Sequence, residues 1–109
     1  MTDTAKVLGQ SIPAAGTLTT LYTVPAATSA IVSTLTACNQ SATATTIRVS
    51  IALAGAADTA KQYIYYDLAL AANDNFSATQ GWTLATTDVV RCYSANGLVS
   101  FNLFGAQIA

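Results

Sequence analysis

The ionisable side chains of this chain are few, and they limit the chemistry that it can perform. The 109 residues contain five acidic and four basic side chains and no histidine. A Ser–His–Asp nucleophile cannot be built without histidine, and a glycosidase needs two carboxylates close together in unequal environments. The turn sequences contain Asp58, Asp74 and Asp88, and Asp in turns accepts hydrogen bonds from the nearby backbone. The sequence therefore predicts that the protein is not an enzyme.

Metal and cofactor binding have no clear signature either. Asn73-Asp74-Asn75 lacks the other spaced ligands, the glycine and the terminal Glu of an EF-hand loop. Cys38 and Cys92 are far apart and form no CxxC pair. We expect two reduced, buried thiols, with a disulfide between them as the alternative. We predict no tightly bound cofactor, although a weak Ca²⁺ site of Asp and backbone carbonyls stays open.

Three tyrosines form the one aromatic cluster of the sequence. Tyr63 and Tyr65 share one face of a regular strand, and Tyr66 takes the other. A tyrosine combines a flat apolar ring with a polar tip, which suits a protein interface or a sugar site. Packing under a neighbouring loop is the alternative. We take Tyr63 and Tyr65 as candidate protein-interface residues.

The low content of charged residues is the compositional feature that best indicates the kind of binding partner. Only 8% of the residues are charged, against about a quarter in typical soluble domains. Because charge keeps an isolated monomer dispersed, this deficit indicates a surface that largely faces other subunits. No run of about 20 apolar residues is present, so we expect no membrane partner. We expect no nucleic-acid partner, because the basic residues are scattered; they are Lys6, Arg48, Lys61 and Arg91.

Apolar and polar residues alternate with a period of two through most of the chain. In residues 45–53, Ile47, Val49 and Ile51 alternate with Arg48 and Ser50, which predicts a half-buried strand. Turn residues interrupt the alternation about every 8–12 residues, as in sandwiches and barrels. We therefore predict an all-β fold, an antiparallel β-sandwich of about eight strands that is jelly-roll-like and nearly free of helix.

The alternation also predicts the core and the strand pairing. Asn96-Gly97 favours a type I′ turn that joins residues 89–93 and 98–103 as an antiparallel hairpin. The predicted core consists of Leu18, Tyr22, Ile31, Leu35, Ile47, Val49, Ile51, Ile64, Leu68, Trp82, Leu84, Val90, Phe101 and Leu103.

We divide the chain into an N-terminal arm at residues 1–10 and one β-sandwich domain at residues 11–109. The arm contains Lys6, Val7 and Leu8. We take these three as further candidate interface residues, because such an arm can reach a neighbouring subunit.

Several segments resemble small virion structural proteins of tailed bacteriophages. They include residues 17–25 (TLTTLYTVP), 44–50 (ATTIRVS), 61–67 (KQYIYYD) and 101–105 (FNLFG), and the likeness covers nearly the whole chain. The resemblance implies a short all-β virion unit of the head decoration or tail-associated type. No catalytic residues come with it.

The resemblance leads to two competing expectations of function. In the first, the protein is a capsid decoration or cement protein that binds the outer head surface as a symmetric oligomer, with a trimer favoured. In the second, it is a tail fibre, adaptor or baseplate module that contacts host glycans or other tail proteins. We favour the head, because no heptads or other shaft-like period is visible. The expected partners are copies of the chain and the major capsid protein or tail proteins, assembled in the host cytoplasm into the virion.

Overall fold

Nine β-strands make up most of the computed structural model, which describes residues 3–109. The strands are rich in Thr, Val, Ile and Tyr, which suit a pleated surface. They are β1 (Asp3–Ser11), β2 (Thr19–Thr23), β3 (Ser29–Asn39), β4 (Thr45–Ala52), β5 (Tyr63–Leu70), β6 (Asn75–Ala78), β7 (Trp82–Leu84), β8 (Val89–Ser94) and β9 (Val99–Ile108). Two short 3-10 turns, Leu53–Gly55 and Ala60–Gln62, lie between β4 and β5. The predicted all-β class is confirmed.

The strands form two antiparallel sheets that pack face to face. Sheet I has the order β1-β9-β3-β6, with β7 also paired with β3, and sheet II has the order β2-β8-β4-β5. Because β6 and β7 pair with different parts of β3, they act as one interrupted strand. The first strand then pairs with the last, the second with the next to last, and so inward to the β4–β5 pair. This nested pairing is that of a jelly-roll sandwich, as predicted.

Most of the predicted core residues are buried between the sheets. The buried ones are Tyr22, Leu35, Ile47, Val49, Leu84, Val90, Phe101 and Leu103. Ile51, Leu68 and Trp82 are partly buried and pack against this cluster. Leu18 is half-buried.

Two predicted core residues lie on the surface instead. Ile31 and Ile64 keep 44% and 41% of their area exposed, so their predicted facing is wrong. A β-bulge in each strand is the reason, because one extra residue reverses the alternation of faces. The bulge of β3 is at Ser33, so Val32 before it and Leu35 after it are both buried. In β5 the extra residue is Ile64 itself.

A tight turn forms at Asn96-Gly97, but the hairpin predicted around it does not. β8 pairs within sheet II and β9 within sheet I, so this turn crosses from one sheet to the other. Gly97 has φ 72°, and its N–H donates to Ser94 Oγ at 3.1 Å. A Cβ at Gly97 would lie 2.7 Å from the backbone nitrogen of Ala15. The Asn-Gly pair thus marks a turn without specifying which strands pair, and the predicted partner of β8 is wrong.

The segment expected to form an N-terminal arm contributes a strand to sheet I. β1 pairs antiparallel with β9 along its length, with one bulge at Leu8. Met1 and Thr2, the first two residues of the expected arm, lie outside the described residues. From residue 3 onward the segment is therefore part of the sandwich.

The two cysteines are both free, and only one of them is buried. Cys92 lies on the inner face of β8 and is fully buried, and this burial raises the pKa of its thiol to about 12. Cys38 lies opposite Ser100 near the end of β3 and is exposed. The expectation of a buried thiol is therefore wrong for Cys38, because Leu35 and Ala37 face the core and the regular alternation after them places Cys38 on the outer face.

Candidate functional site

Two bulges in β5 arrange the tyrosines differently from a regular strand. Tyr63 lies opposite Ser50, and Tyr65 lies opposite the buried Val49, so the two tyrosines occupy opposite faces. The prediction that they share a face is wrong, because the Ile64 bulge lies between them. Tyr65 packs edge-to-face on Phe76 at 5.0 Å between ring centroids and joins the margin of the core. Burial raises the pKa of Tyr65.

The second bulge of β5 places Tyr66 and Asp67 together across from Arg48 of β4. Asp67 has φ 53°, a left-handed conformation that Asp tolerates better than most side chains. Its carboxylate accepts hydrogen bonds from Arg48 Nε at 2.7 Å and Nη2 at 3.3 Å. This hydrogen bonding raises the pKa of Arg48, and partial burial opposes the shift. The bulge therefore creates an ion pair that a regular strand would not align.

Arg48 is also held between two tyrosine rings on the outer face of sheet II. Its guanidinium carbon lies 4.2 Å from the Tyr66 ring centroid and 4.5 Å from that of Tyr93, its neighbour on β8. Both distances are within the range of cation–π attraction. Tyr66 contacts Tyr63 edge-to-face at 5.0 Å. Tyr93, Arg48, Tyr66 and Tyr63 thus form one connected cluster across three strands, which we call the Arg48 cluster.

A hollow of about 490 Å³ opens beside the Arg48 cluster. Tyr63 forms part of its wall and donates from its hydroxyl to Asp58 Oδ2 at 3.0 Å. Burial and this hydrogen bond both raise the pKa of Tyr63. The lining residues of this hollow, called here the tyrosine hollow, are Arg48, Asp58, Thr59, Ala60, Tyr63 and Tyr66.

Hydrogen bonds to buried side chains fix the loop that forms the far wall of the tyrosine hollow. Gln62 is buried; its Nε2 donates to the Ala57 carbonyl at 2.8 Å, and its Oε1 accepts from the Thr59 N–H at 3.3 Å. The buried Asp88 accepts from the Ala54 N–H at 3.0 Å. Because Asp88 ties the start of the loop to the sandwich and Gln62 braces residues 57–62 from within, the hollow is largely preformed.

The outer face of sheet I has a different character, because it is nearly free of charge. Five rows of cross-strand neighbours share this face, and among their described residues only Asp3, in the end row, carries a charge. Val7 and Ile31 each leave 44% of their area exposed there. The rows are Asp3–Ile108–Ser29, Ala5–Ala106–Ile31–Thr83, Val7–Phe104–Thr34, Gln10–Asn102–Thr36–Ser77 and Ser100–Cys38–Asn75.

The five predicted interface residues do not come together in one site. Val7 lies on the outer face of sheet I, Lys6 is exposed on β1, and Leu8 is buried at the bulge of that strand. Tyr63 lies in the tyrosine hollow, and Tyr65 packs inward.

Sequence reasoning missed Arg48, Tyr66 and Asp58 as parts of one site. The alternation of residues 45–53 already places Arg48 on the outer face, and an Asp inside an otherwise regular strand pattern is the available signal for the bulge at Asp67.

Both carboxylates near the Arg48 cluster already accept hydrogen bonds from neighbouring side chains. Asp58 and Asp67 are engaged by Tyr63 and Arg48 respectively. Among residues 3–109, no group of three Cys or Asp side chains is placed to hold a metal ion. No helix within the same residues has the length and apolar character needed to cross a membrane.

No protein-family model matches this chain, and a search of curated proteins likewise gives no match.

Proposed function

We propose that this protein is a structural subunit of a bacteriophage virion, a decoration or cement protein that binds the outer head surface as a symmetric oligomer. The observation that carries the proposal is the outer face of sheet I, with a single charge in five rows of residues. The resemblance of the sequence to small phage virion proteins supplies the virion, the head and the favoured trimer.

The physical argument concerns the cost of covering a surface. Desolvating a charged side chain is expensive, whereas covering Val, Ile and Phe is favourable, and covering Thr and Ser costs little when their hydroxyls gain hydrogen-bond partners. The outer face of sheet I exposes Val7 and Ile31 and partly exposes Phe104, Ala106 and Ile108. A protein partner that covered this face would remove apolar surface from water and would bury almost no charged side chain.

The face is also large enough for a specific interface. The molecule measures 45 × 27 × 20 Å, so a broad side of the sandwich exceeds the roughly 800 Å² that each partner contributes to a standard interface. One edge is suited to a copy of the chain, because β1 is a nine-residue edge strand with a single bulge, at Leu8, and regular pairing over residues 3–7. By contrast, β5 carries two bulges and β6 with β7 is interrupted, and such features discourage edge-to-edge pairing.

The test compares incorporation into particles of two lysine variants with equal starting exposure. Ile31 lies on the proposed face at 44% exposure, and Leu98 lies in the turn between the sheets at 46%. Virions are purified from hosts producing the wild-type chain, Ile31→Lys or Leu98→Lys, and copies per particle are counted by quantitative mass spectrometry. Circular dichroism and thermal melting of the purified chains establish that both variants fold.

We expect hundreds of copies of the wild-type chain per head, a loss of at least about tenfold for Ile31→Lys, and near wild-type incorporation of Leu98→Lys. The tenfold loss corresponds to about 1.4 kcal/mol of binding free energy. A few copies located at the tail would contradict the decoration role and favour the adaptor or baseplate alternative. Equal incorporation of both variants would show that the outer face of sheet I is not part of the interface. Sedimentation equilibrium showing a stable monomer, with virion-bound copies also unassociated, would contradict the oligomer.

A further inference from the structure

We propose that the tyrosine hollow on sheet II binds a neutral sugar, namely one pyranose unit of a glycan. This site is on the opposite side of the sandwich from the outer face of sheet I. The proposal does not depend on the virion role, because the two faces can be occupied together.

The first argument is the exposed, supported ring of Tyr66. This side chain leaves 60% of its area in water, although its ring is contacted by Arg48 at 4.2 Å and by Tyr63 at 5.0 Å. A ring fixed by such neighbours loses little conformational entropy when a ligand binds. The C–H groups on one side of a pyranose form a flat apolar patch, and covering an aromatic ring with that patch removes both surfaces from water.

The second argument is the set of polar groups around the tyrosine hollow. Asp58 uses Oδ2 to accept from Tyr63, so its other carboxylate oxygen is an acceptor for a ligand hydroxyl. Arg48 uses Nε and Nη2 on Asp67, and its Nη1 donates to no atom of residues 3–109. Sugar hydroxyls both donate and accept, so they match an acceptor and a donor placed on the same hollow.

The third argument is charge, which selects among sugars. The positive charge of Arg48 is already balanced by Asp67 at 2.7 Å. Asp58 adds a negative charge on the wall of the hollow. An anionic ligand such as a sialic acid or a phosphate would meet this uncompensated carboxylate, whereas a neutral hexose would not. The hollow volume of about 490 Å³ is within the range of small-molecule sites.

The experiment titrates the ¹⁵N-labelled full chain with methyl glycosides and follows amide chemical shifts. The probes are the methyl pyranosides of glucose, galactose, mannose and N-acetylglucosamine, with N-acetylneuraminic acid as the anionic comparison. We expect at least one neutral glycoside to bind in the millimolar range, with shifts concentrated at residues 58–66 and at Arg48. No saturable shift with any neutral glycoside, or tighter binding of the anionic sugar, would overturn the proposal.

Two variants of Tyr66 make the assignment specific. Tyr66→Ala removes the ring and should weaken binding at least about tenfold, while Tyr66→Phe keeps the ring and should bind within about threefold of wild type. Tyr66→Phe keeps the ring contacts and should keep the wild-type melting temperature, whereas Tyr66→Ala loses the contacts with Arg48 and Tyr63 and should melt a few degrees lower while remaining folded at the temperature of the titration. Undiminished sugar binding by Tyr66→Ala would refute the site. Binding of a virion protein to the hollow without any sugar binding would instead assign it to protein docking. Copies per virion should be unchanged in Tyr66→Ala, so failure here is distinguishable from failure of the decoration role.

Discussion

Replacing Asn39 should destabilise the fold in a way that depends on the replacement and on pH. Asn39 is the last residue of β3 and is 1% exposed. Its Nδ2 donates to the carbonyl oxygens of Thr43 and Ala71 at 3.0 Å each, with a longer contact of 3.5 Å to Leu70. Its Oδ1 accepts from the Ser41 N–H at 3.0 Å. Asn39 Oδ1 also accepts a longer contact of 3.4 Å from Asn96 Nδ2. One amide therefore ties three connections, those between β3 and β4, β5 and β6, and β8 and β9, to the end of sheet I.

Asn39→Ala removes the three hydrogen bonds at 3.0 Å, to Thr43, Ala71 and Ser41. Each net hydrogen bond contributes about 1 kcal/mol. We expect a loss of about 3 kcal/mol in the free energy of unfolding, measured by urea denaturation at pH 7. The control is Gln40→Ala at the next position, where the side chain is exposed and forms no hydrogen bond with the described residues; its change should be within about 0.5 kcal/mol.

Asn39→Asp keeps the shape and inverts the hydrogen bonding, because an ionised carboxylate has no donor for the carbonyls of Thr43 and Ala71. Burial and these oxygens disfavour the charged form, so the pKa of the introduced carboxyl is raised in the folded state. The penalty is absent below the unfolded pKa of about 3.9 and grows as the pH rises toward the folded pKa. The stability difference between wild type and Asn39→Asp should therefore shrink on acidification from pH 7 to about pH 3, while that of Asn39→Ala stays constant.

Two results would refute the role given to the Asn39 hydrogen bonds. One is a stability difference between wild type and Asn39→Asp that does not change with pH. The other is an Asn39→Ala variant that is as stable as Gln40→Ala.

Three further predictions concern the core, the thiols and the close approach of two strands. Val49 is fully buried, so Val49→Ala should cost about 2 kcal/mol and Val49→Asp should abolish folding; a folded Val49→Asp by circular dichroism would contradict its facing. A disulfide reagent at pH 8 should titrate one thiol per native chain, that of Cys38, because the pKa of Cys92 is about 12; two fast thiols would show that Cys92 is accessible. Gly105→Ala should cost more than about 2 kcal/mol by thermal melting, since its Cβ would overlap the Ile31 carbonyl oxygen; a neutral effect would mean that the β3–β9 pair is looser than described.

The alternation of residue types predicted the strands well, and it failed at the bulges. A period-two pattern does not reveal where one extra residue is inserted. Ser33 and Ile64 each reverse which side chains of their strand face the core, and neither residue type is distinctive of a bulge. Asp67 is different, since an Asp with positive φ inside a strand is a recognisable bulge former. The turn at Asn96-Gly97 failed for another reason. Turn chemistry acts over four residues, whereas the choice of sheet depends on the nested pairing of the whole chain.

The site was predictable only in part for the same reason. Tyr63 was identified from composition, but its companions Tyr66 and Arg48 converge through the two bulges of β5. The low charge of the whole sequence made a nearly uncharged face predictable. Which residues belong to that face depends on the register of β1, β9 and β3, which the sequence did not reveal.

The pairing of β1 with β9 has a consequence for how the chain folds during synthesis. β9 lies between β1 and β3, so sheet I cannot close until residues 99–108 have left the ribosome. Sheet II likewise waits for β8, and β4–β5 is the one strand pair within a sheet formed by strands adjacent in the chain. Pairings so distant in sequence close slowly, on a scale of milliseconds to seconds. Interrupted translation products that lack β9 therefore cannot complete sheet I, and only chains that reach β9 can present its outer face to a partner.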